Sequence, residues 1–221
     1  DFISVDPTQS SRPEARDPDD AAISVPQEPS AESAQLAVYY QRLQDSLLAQ
    51  GLLRGDGVGP DTPFTDTILA RNFVRIALFD EYVTDGDFLR SQATISKLRR
   101  WEMPVRMAIE FGPSVSEAQQ NQDRAAISSY LSRLSRITDH PLTVTNFNPN
   151  FHVFMVSEDD RAGFADRIEA LVPGIDNATL NAMLNLPRDQ LCILAAFSQG
   201  DTAGYSKAIA IIRAEHPSLL R

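Results

Sequence analysis

The sequence predicts an α+β domain, a mostly antiparallel sheet backed by helices, carried behind a disordered N-terminal arm. Three observations predict it. Helical apolar periods near the start give way to alternating apolar stretches later. Helices and strands follow one another without a steady strand–helix–strand rhythm. Residues 1–32 differ in composition from everything after them. With 221 residues, 43% of them hydrophobic, the chain can bury one large core, so 33–221 reads as a single domain.

Residues 1–32 hold five prolines, five serines, eight acids, two arginines and no glycine. Nothing in them repays the entropy of ordering, and they are expected to be disordered alone, as a spacer or as a tail that orders on a partner. The first helix is expected near Ser33, with Leu36, Tyr40, Leu43 and Leu47 on one stripe and Gly51 as its stop. Residues 55–63 are dense in turn formers and read as a loop. A second helix is expected over Thr65–Phe79, capped by Thr65 and showing Leu69, Phe73 and Ile76 on one face, although residues 73–79 alternate well enough to be a strand.

Trp101–Phe111 reads as a strand, with Val105, Met107, Ile109 and Phe111 on its apolar face. Ser114 and Glu117 form a capping-box signature for a helix reaching Ile137, whose buried face is expected to be Ile127, Tyr130, Leu131, Leu134 and Ile137. Two short strands, Leu142–Thr145 and His152–Ser157, flank an asparagine-rich turn. A helix over Asp159–Leu171 is ended by Pro173-Gly174, and a short one follows over Asn177–Leu184. The strands Leu191–Ser198 and Ser206–Arg213 close the chain as a hairpin.

Charge narrows the function. The formal net charge is −10, and a nucleic-acid binder draws its affinity from lysine and arginine. The run Lys97, Arg99, Arg100 followed by Trp101 reads as a solvated strand end, so no nucleic-acid partner is expected. The longest apolar run, Leu191 to Phe197, falls far short of the roughly 20 residues that span a bilayer. Asp1 in place of methionine is expected either from removal of an export signal or from a start upstream of Asp1. The one cysteine, Cys192, has no intrachain partner, and its apolar neighbours suggest a buried thiol.

The candidate motifs each have an ordinary structural reading. Gly55, Gly57 and Gly59 lack the strand before and the Lys-Ser/Thr step after that a phosphate loop needs. Asp56, Asp61 and Asp66 lack the ligand spacing of a calcium loop. His140, His152 and His216 are dispersed, with no His-Glu-x-x-His helix among them, and Glu215-His216 reads as a polar loop. No Gly-x-Ser-x-Gly elbow is present. Asn177-Ala-Thr179 matches a glycosylation acceptor and equally a helix cap. Arg106 and Glu110 share a strand face and suggest a charge ladder; Asp80-Glu81 and Asp159-Asp160 sit at element ends where acids are expected. No catalytic, cofactor-binding or metal residue is assigned, and no cofactor is expected.

The segments 52–65 (LLRGDGVGPDTPFT), 72–82 (NFVRIALFDEY) and 98–106 (LRRWEMPVR) resemble the domain of unknown function 2927 family of proteobacterial lipoproteins, over residues 35–221. The resemblance implies export to the periplasm or beyond, a lipid anchor upstream, and no assigned activity. It also implies a cysteine and a Glu-Glu-x-x-Gln helix beyond Arg221, with which Cys192 would pair. The element order has a weaker likeness to zincin metalloproteases, whose zinc needs three ligands. The expected function is an exported accessory domain tethered by its acidic arm, which orders on an envelope protein partner. The alternative is a zincin-type metallohydrolase with a degenerate or missing active-site helix.

Overall fold

The computed structural model describes residues 28–53, 64–198 and 204–217; the arm up to residue 27 and the loop at 55–63 lie outside the described residues. Helix α1 spans Ala31–Ala49, starting two residues earlier than expected because Ser30 caps it by accepting from the Ser33 amide. Its expected stripe faces inward, and Tyr40 is fully buried. Helix α2 spans Asp66–Ala77 with Thr65 as its cap.

Two strands that the sequence did not announce follow: β1, Phe79–Asp85, and β2, Phe88–Ile95, an antiparallel hairpin turning at Gly86, whose φ is +62°. The expected second helix is therefore corrected at its end, since Phe79 already belongs to β1. Both strands are mostly exposed, which removes the apolar alternation that would mark them.

The main sheet is built from β3 (Val105–Phe111), β4 (Leu142–Val144), β5 (Phe151–Val156), β6 (Cys192–Ser198) and β7 (Tyr205–Arg213), in the order β4-β3-β5-β7-β6. The mostly antiparallel expectation is overturned for this sheet. Pairs β3–β4, β3–β5 and β5–β7 are parallel, and only β6–β7 is antiparallel. The long helix α3, Glu117–Thr138, is a crossover that returns the chain to the sheet in the same direction. A helical excursion, α4 (Glu158–Arg161), a 3₁₀ turn (Ala162–Phe164), α5 (Ala165–Leu171) and α6 (Asn177–Leu184), precedes the closing hairpin. The single helix expected over Asp159–Leu171 is thus broken, with Gly163, a poor helix former, inside the 3₁₀ turn.

Alternation along the central strands feeds two cores. Met107, Ile109, Val153 and Met155 pack against Leu131 of α3. Phe154, Val156, Ile209 and Ile211 pack against Ile168 of α5 and Met183 of α6. Each fully buried aliphatic side chain contributes about 1.5–3 kcal/mol. The cap of α3 is Ser116, bonded to the Gln119 amide, not Ser114. Tyr130 and Ile137, expected in the core, are 57% and 65% exposed, because α3 covers the sheet along only a narrow line through Leu131.

Candidate functional site

At the carboxyl ends of β5 and β7 the chain buries charge. Arg161 and Arg213 are each 1% exposed and converge on the Glu158 carboxylate: Arg161 forms a fork with it, 2.7 Å at the nearer nitrogen, and Arg213 donates to Glu158 and to the Leu186 carbonyl. Burial pushes the Glu158 carboxyl up, but bonds and charge from Arg213 and Arg161 outweigh it and hold it below the usual carboxylate range. Burial and the Arg213 charge depress Arg161.

Glu215 extends this cluster, accepting from the Ser33 hydroxyl at 2.9 Å and the Glu158 amide at 2.6 Å. Next to it, His216 is 1% exposed, with the Tyr40 ring edge-on at 4.1 Å. The polar loop expected at Glu215-His216 is corrected: the loop folds inward under α1. A cavity of about 490 Å³ opens beside it, lined by Ser33, Ser114, Gln119, Ser157 and His216 among others. Exposed Asp159 and half-buried Asp160, in the first turn of α4 as expected, also tie segments together. Asp159 accepts from the Ser30 amide and hydroxyl at 2.8 and 2.5 Å, and Asp160 accepts from the Ser114 amide and hydroxyl at 3.1 and 2.5 Å.

A second constellation lies on the sheet face covered by α5. Glu110 accepts two bonds from Arg167, both 3.0 Å, and faces His152 Nδ1 at 3.2 Å. His152 is 1% exposed, and its Nε2 has no hydrogen-bond partner among the described residues. The His152 bond, opposed by burial and reinforced by Arg167, lowers Glu110 to about 2. The expected Arg106–Glu110 ladder does not form, because Arg106 turns to the Asn148 carbonyl at 2.7 Å.

The third feature is an edge. Among the described residues, strand β6 ends the sheet and pairs with β7 alone. The Arg213 amide bonds to the Leu191 carbonyl, and alternation of the antiparallel register then turns the backbone groups of Cys192, Leu194 and Ala196 outward. This strand carries no charge and no proline, the usual protections of an edge. A groove of about 780 Å³ runs beside it, walled by Tyr82, Phe88 and Leu89 of the hairpin and by Ala178, Asn181 and Ala182 of α6. Its charged lining residues are Glu81 and Asp87, both acidic. The buried thiol expected at Cys192 is corrected: the side chain is exposed, on the outward alternate of the edge strand.

Among the described residues, no group of three or more His, Cys, Asp or Glu side chains is placed to hold a metal ion. His140 instead contacts the Met103 carbonyl, and Asn177 reaches Asp87 of the hairpin turn. Asp66 is the first residue of α2, while Gly55, Gly57, Gly59, Asp56 and Asp61 lie outside the described residues. Arg99 pairs with Asp80 and Arg100 with Glu102, and Trp101 packs between Phe151 and Tyr205. No helix among the described residues is long and apolar enough to cross a membrane.

Comparison with known proteins adds one match, to a family described as protein of unknown function (DUF2927), over residues 66–221. The chain belongs to the DUF2927 family. No curated protein and no solved structure matches it. The DUF2927 match begins at the first residue of α2, so α1 lies outside the matched residues. The charged cluster is nevertheless completed by α1, through Ser33 and Tyr40. The hairpin, α6 and β6, which form the groove, all lie within the DUF2927 match.

Sequence reasoning missed Arg161, Arg167 and Arg213 entirely. Arg213 carried a signal: it closes the apolar run Ala-Ile-Ala-Ile-Ile, where a charge must either leave the sheet or be paired. Arg167 carried none, because its partner Glu110 is 57 residues away.

Proposed function

We propose that this chain is an exported accessory domain, tethered by its acidic N-terminal stretch, that holds an extended segment of an envelope protein partner without transforming it. The observation that carries the reading is the open edge of β6 facing the groove. An extended segment laid along Cys192, Leu194 and Ala196 would continue the sheet, gaining backbone hydrogen bonds along the edge and side-chain contacts in the groove. Glu81 and Asp87 in the lining favour a segment carrying lysine or arginine. Export is supported by the family resemblance, and cell fractionation checks it.

The test uses a labelled peptide of alternating lysine and valine, read by fluorescence anisotropy, with a glutamate–valine peptide as its counterpart. The basic peptide binds saturably and at least tenfold more tightly. Leu194→Pro removes one outward N–H without touching a β7 bond and abolishes binding, whereas Leu194→Ala retains part of it. Equal binding by both peptides, or an unaffected Leu194→Pro variant, would sink the reading.

A zincin-type metallohydrolase is the second reading, favoured by the order of a strand, the long helix α3 and later strands that rejoin one sheet. The described residues do not supply a zinc ligand set, so on this reading the ligands would come from outside them. Elemental analysis of the natural full-length product decides between the two. Stoichiometric zinc, lost on changing a glutamate in a downstream helix, would replace the binding-only reading.

A further inference from the structure

We propose that two copies of this chain associate through the apolar face of α2, packed antiparallel about a twofold axis that passes beside Asn72. The starting point is an energetic deficit. A 12-residue helix is marginal in water and normally depends on burying one face, yet α2 buries none of its residues. Ile68, Leu69, Phe73 and Ile76 are 37%, 49%, 57% and 76% exposed, and Phe64 just before the helix is 57% exposed. At about 100° per residue the four helical side chains occupy an arc of roughly 140°.

These five side chains expose roughly 500 Å² of apolar surface, taking about 190 Å² for each when fully exposed. That is the size of the largest apolar patch on a typical monomer, a patch that is often functional. Buried on two copies it comes to about 1,000 Å², the lower bound for a specific interface. The association is therefore expected in the micromolar range, visible as a concentration-dependent equilibrium.

The pattern of the face points to a second copy as its occupant. Asn72 sits inside the apolar arc, four residues after Ile68 and four before Ile76. Reversing the helix direction maps this evenly spaced row onto itself, which is the self-complementarity a twofold requires. Each Ile68 then faces Ile76 of the second copy, and Asn72 faces Asn72. The asparagine amide is both donor and acceptor, so it satisfies its own twin; against a lipid surface it would be stripped of water with no partner. The net charge of −10 also opposes an anionic membrane. The acidic stretch 1–32 has no sustained apolar period to lay along the face.

Sedimentation velocity from about 1 to 200 µM tests the proposal with the full chain. The wild type shows a monomer–dimer equilibrium, and Ile76→Asp raises its dissociation constant at least tenfold while leaving near-ultraviolet circular dichroism unchanged, since Ile76 is 76% exposed. In a Cys192→Ser background, Asn72→Cys forms an interchain disulfide on mild oxidation, and Thr67→Cys, on the opposite side of the helix, does not. A monomer at every concentration would overturn the proposal, as would equal crosslinking at both positions. Flotation of the wild type, but not of Ile76→Asp, with phosphatidylcholine–phosphatidylglycerol vesicles would assign the face to a membrane instead. None of these outcomes bears on the β6 groove, which Leu194→Pro probes separately.

Discussion

His152 Nδ1 lies 3.2 Å from Glu110 Oε1, and this contact, joined by the fork from Arg167, lowers the Glu110 carboxyl against the opposing effect of burial. The Glu110 carboxyl falls from an ordinary 4.5 to about 2 in the fold. A depressed carboxylate stabilises the fold above its unfolded value and ceases to do so as pH falls through its folded one. Wild-type stability is therefore expected to decline between pH 4.5 and 2, in part through this group. Glu110→Gln should lower stability at pH 7 by about 1–2 kcal/mol and flatten that acid limb. Urea unfolding midpoints at pH 7 and across the acid range check both; an unchanged slope in the variant would remove Glu110 from the account.

Glu158 is expected to be costlier. It is the carboxylate on which Arg161 and Arg213 converge, and both arginines are 1% exposed. Glu158→Gln leaves two buried guanidinium groups without the carboxylate they bond, Glu215 being the remaining acid of the cluster, a defect of about 3–5 kcal/mol. The double change Glu158→Gln with Arg213→Met should recover part of that loss, because it removes a charge along with its partner. Chemical denaturation of the wild type, Glu158→Gln, Arg213→Met and the double change gives the coupling directly.

Tyr40 ties α1 to the rest of the domain. It is fully buried, its hydroxyl donates to the Arg188 carbonyl at 2.8 Å, and burial raises its pKa. Tyr40→Phe keeps the ring on His216 and loses one bond, worth about 1 kcal/mol. Tyr40→Ala loses the ring as well, about 3–5 kcal/mol in all, and should release α1. Limited proteolysis would then cut within 31–49 while the residues of the DUF2927 match stay protected.

Gly112 marks a close approach. A Cβ at this position would stand 2.1 Å from Asp160 Oδ2 and 2.7 Å from Asp160 Cγ. Asp160 cannot simply swing away, since it holds the Ser114 amide and hydroxyl. Gly112→Ala is expected to destabilise by about 1–3 kcal/mol, and a thermal melt compared with Gly163→Ala, which meets nothing within 4 Å, isolates the clash.

Local chemistry was legible in the sequence and long-range pairing was not. The Thr65 cap, the inward alternation of β3 and the stripe of α1 all follow from neighbours within one or two turns. The strand directions did not, because residue alternation looks the same in parallel and antiparallel neighbours; the long connections fix them, α3 between β3 and β4 and the excursion through α4–α6 and β6 between β5 and β7. The β1–β2 hairpin escaped because its exposed strands carry little apolar alternation. The Glu110–His152–Arg167 group escaped because it joins residues 42 and 57 positions apart.

Cys192 shows how an apolar neighbourhood misleads. Leu191, Ile193 and Leu194 surround it in sequence, but strand side chains alternate, and Ile193 turns toward the core while Cys192 and Leu194 turn outward. The thiol should therefore react in the native protein. One equivalent of Ellman's reagent is expected to be consumed at a rate close to that in denaturant, whereas a core thiol would wait for unfolding. Because Cys192 lines the groove beside β6, the bulky adduct should also weaken the lysine–valine peptide at least several-fold. A fast-reacting thiol whose adduct leaves peptide binding intact would place the bound segment elsewhere; a protected thiol would mean that the edge is covered in solution.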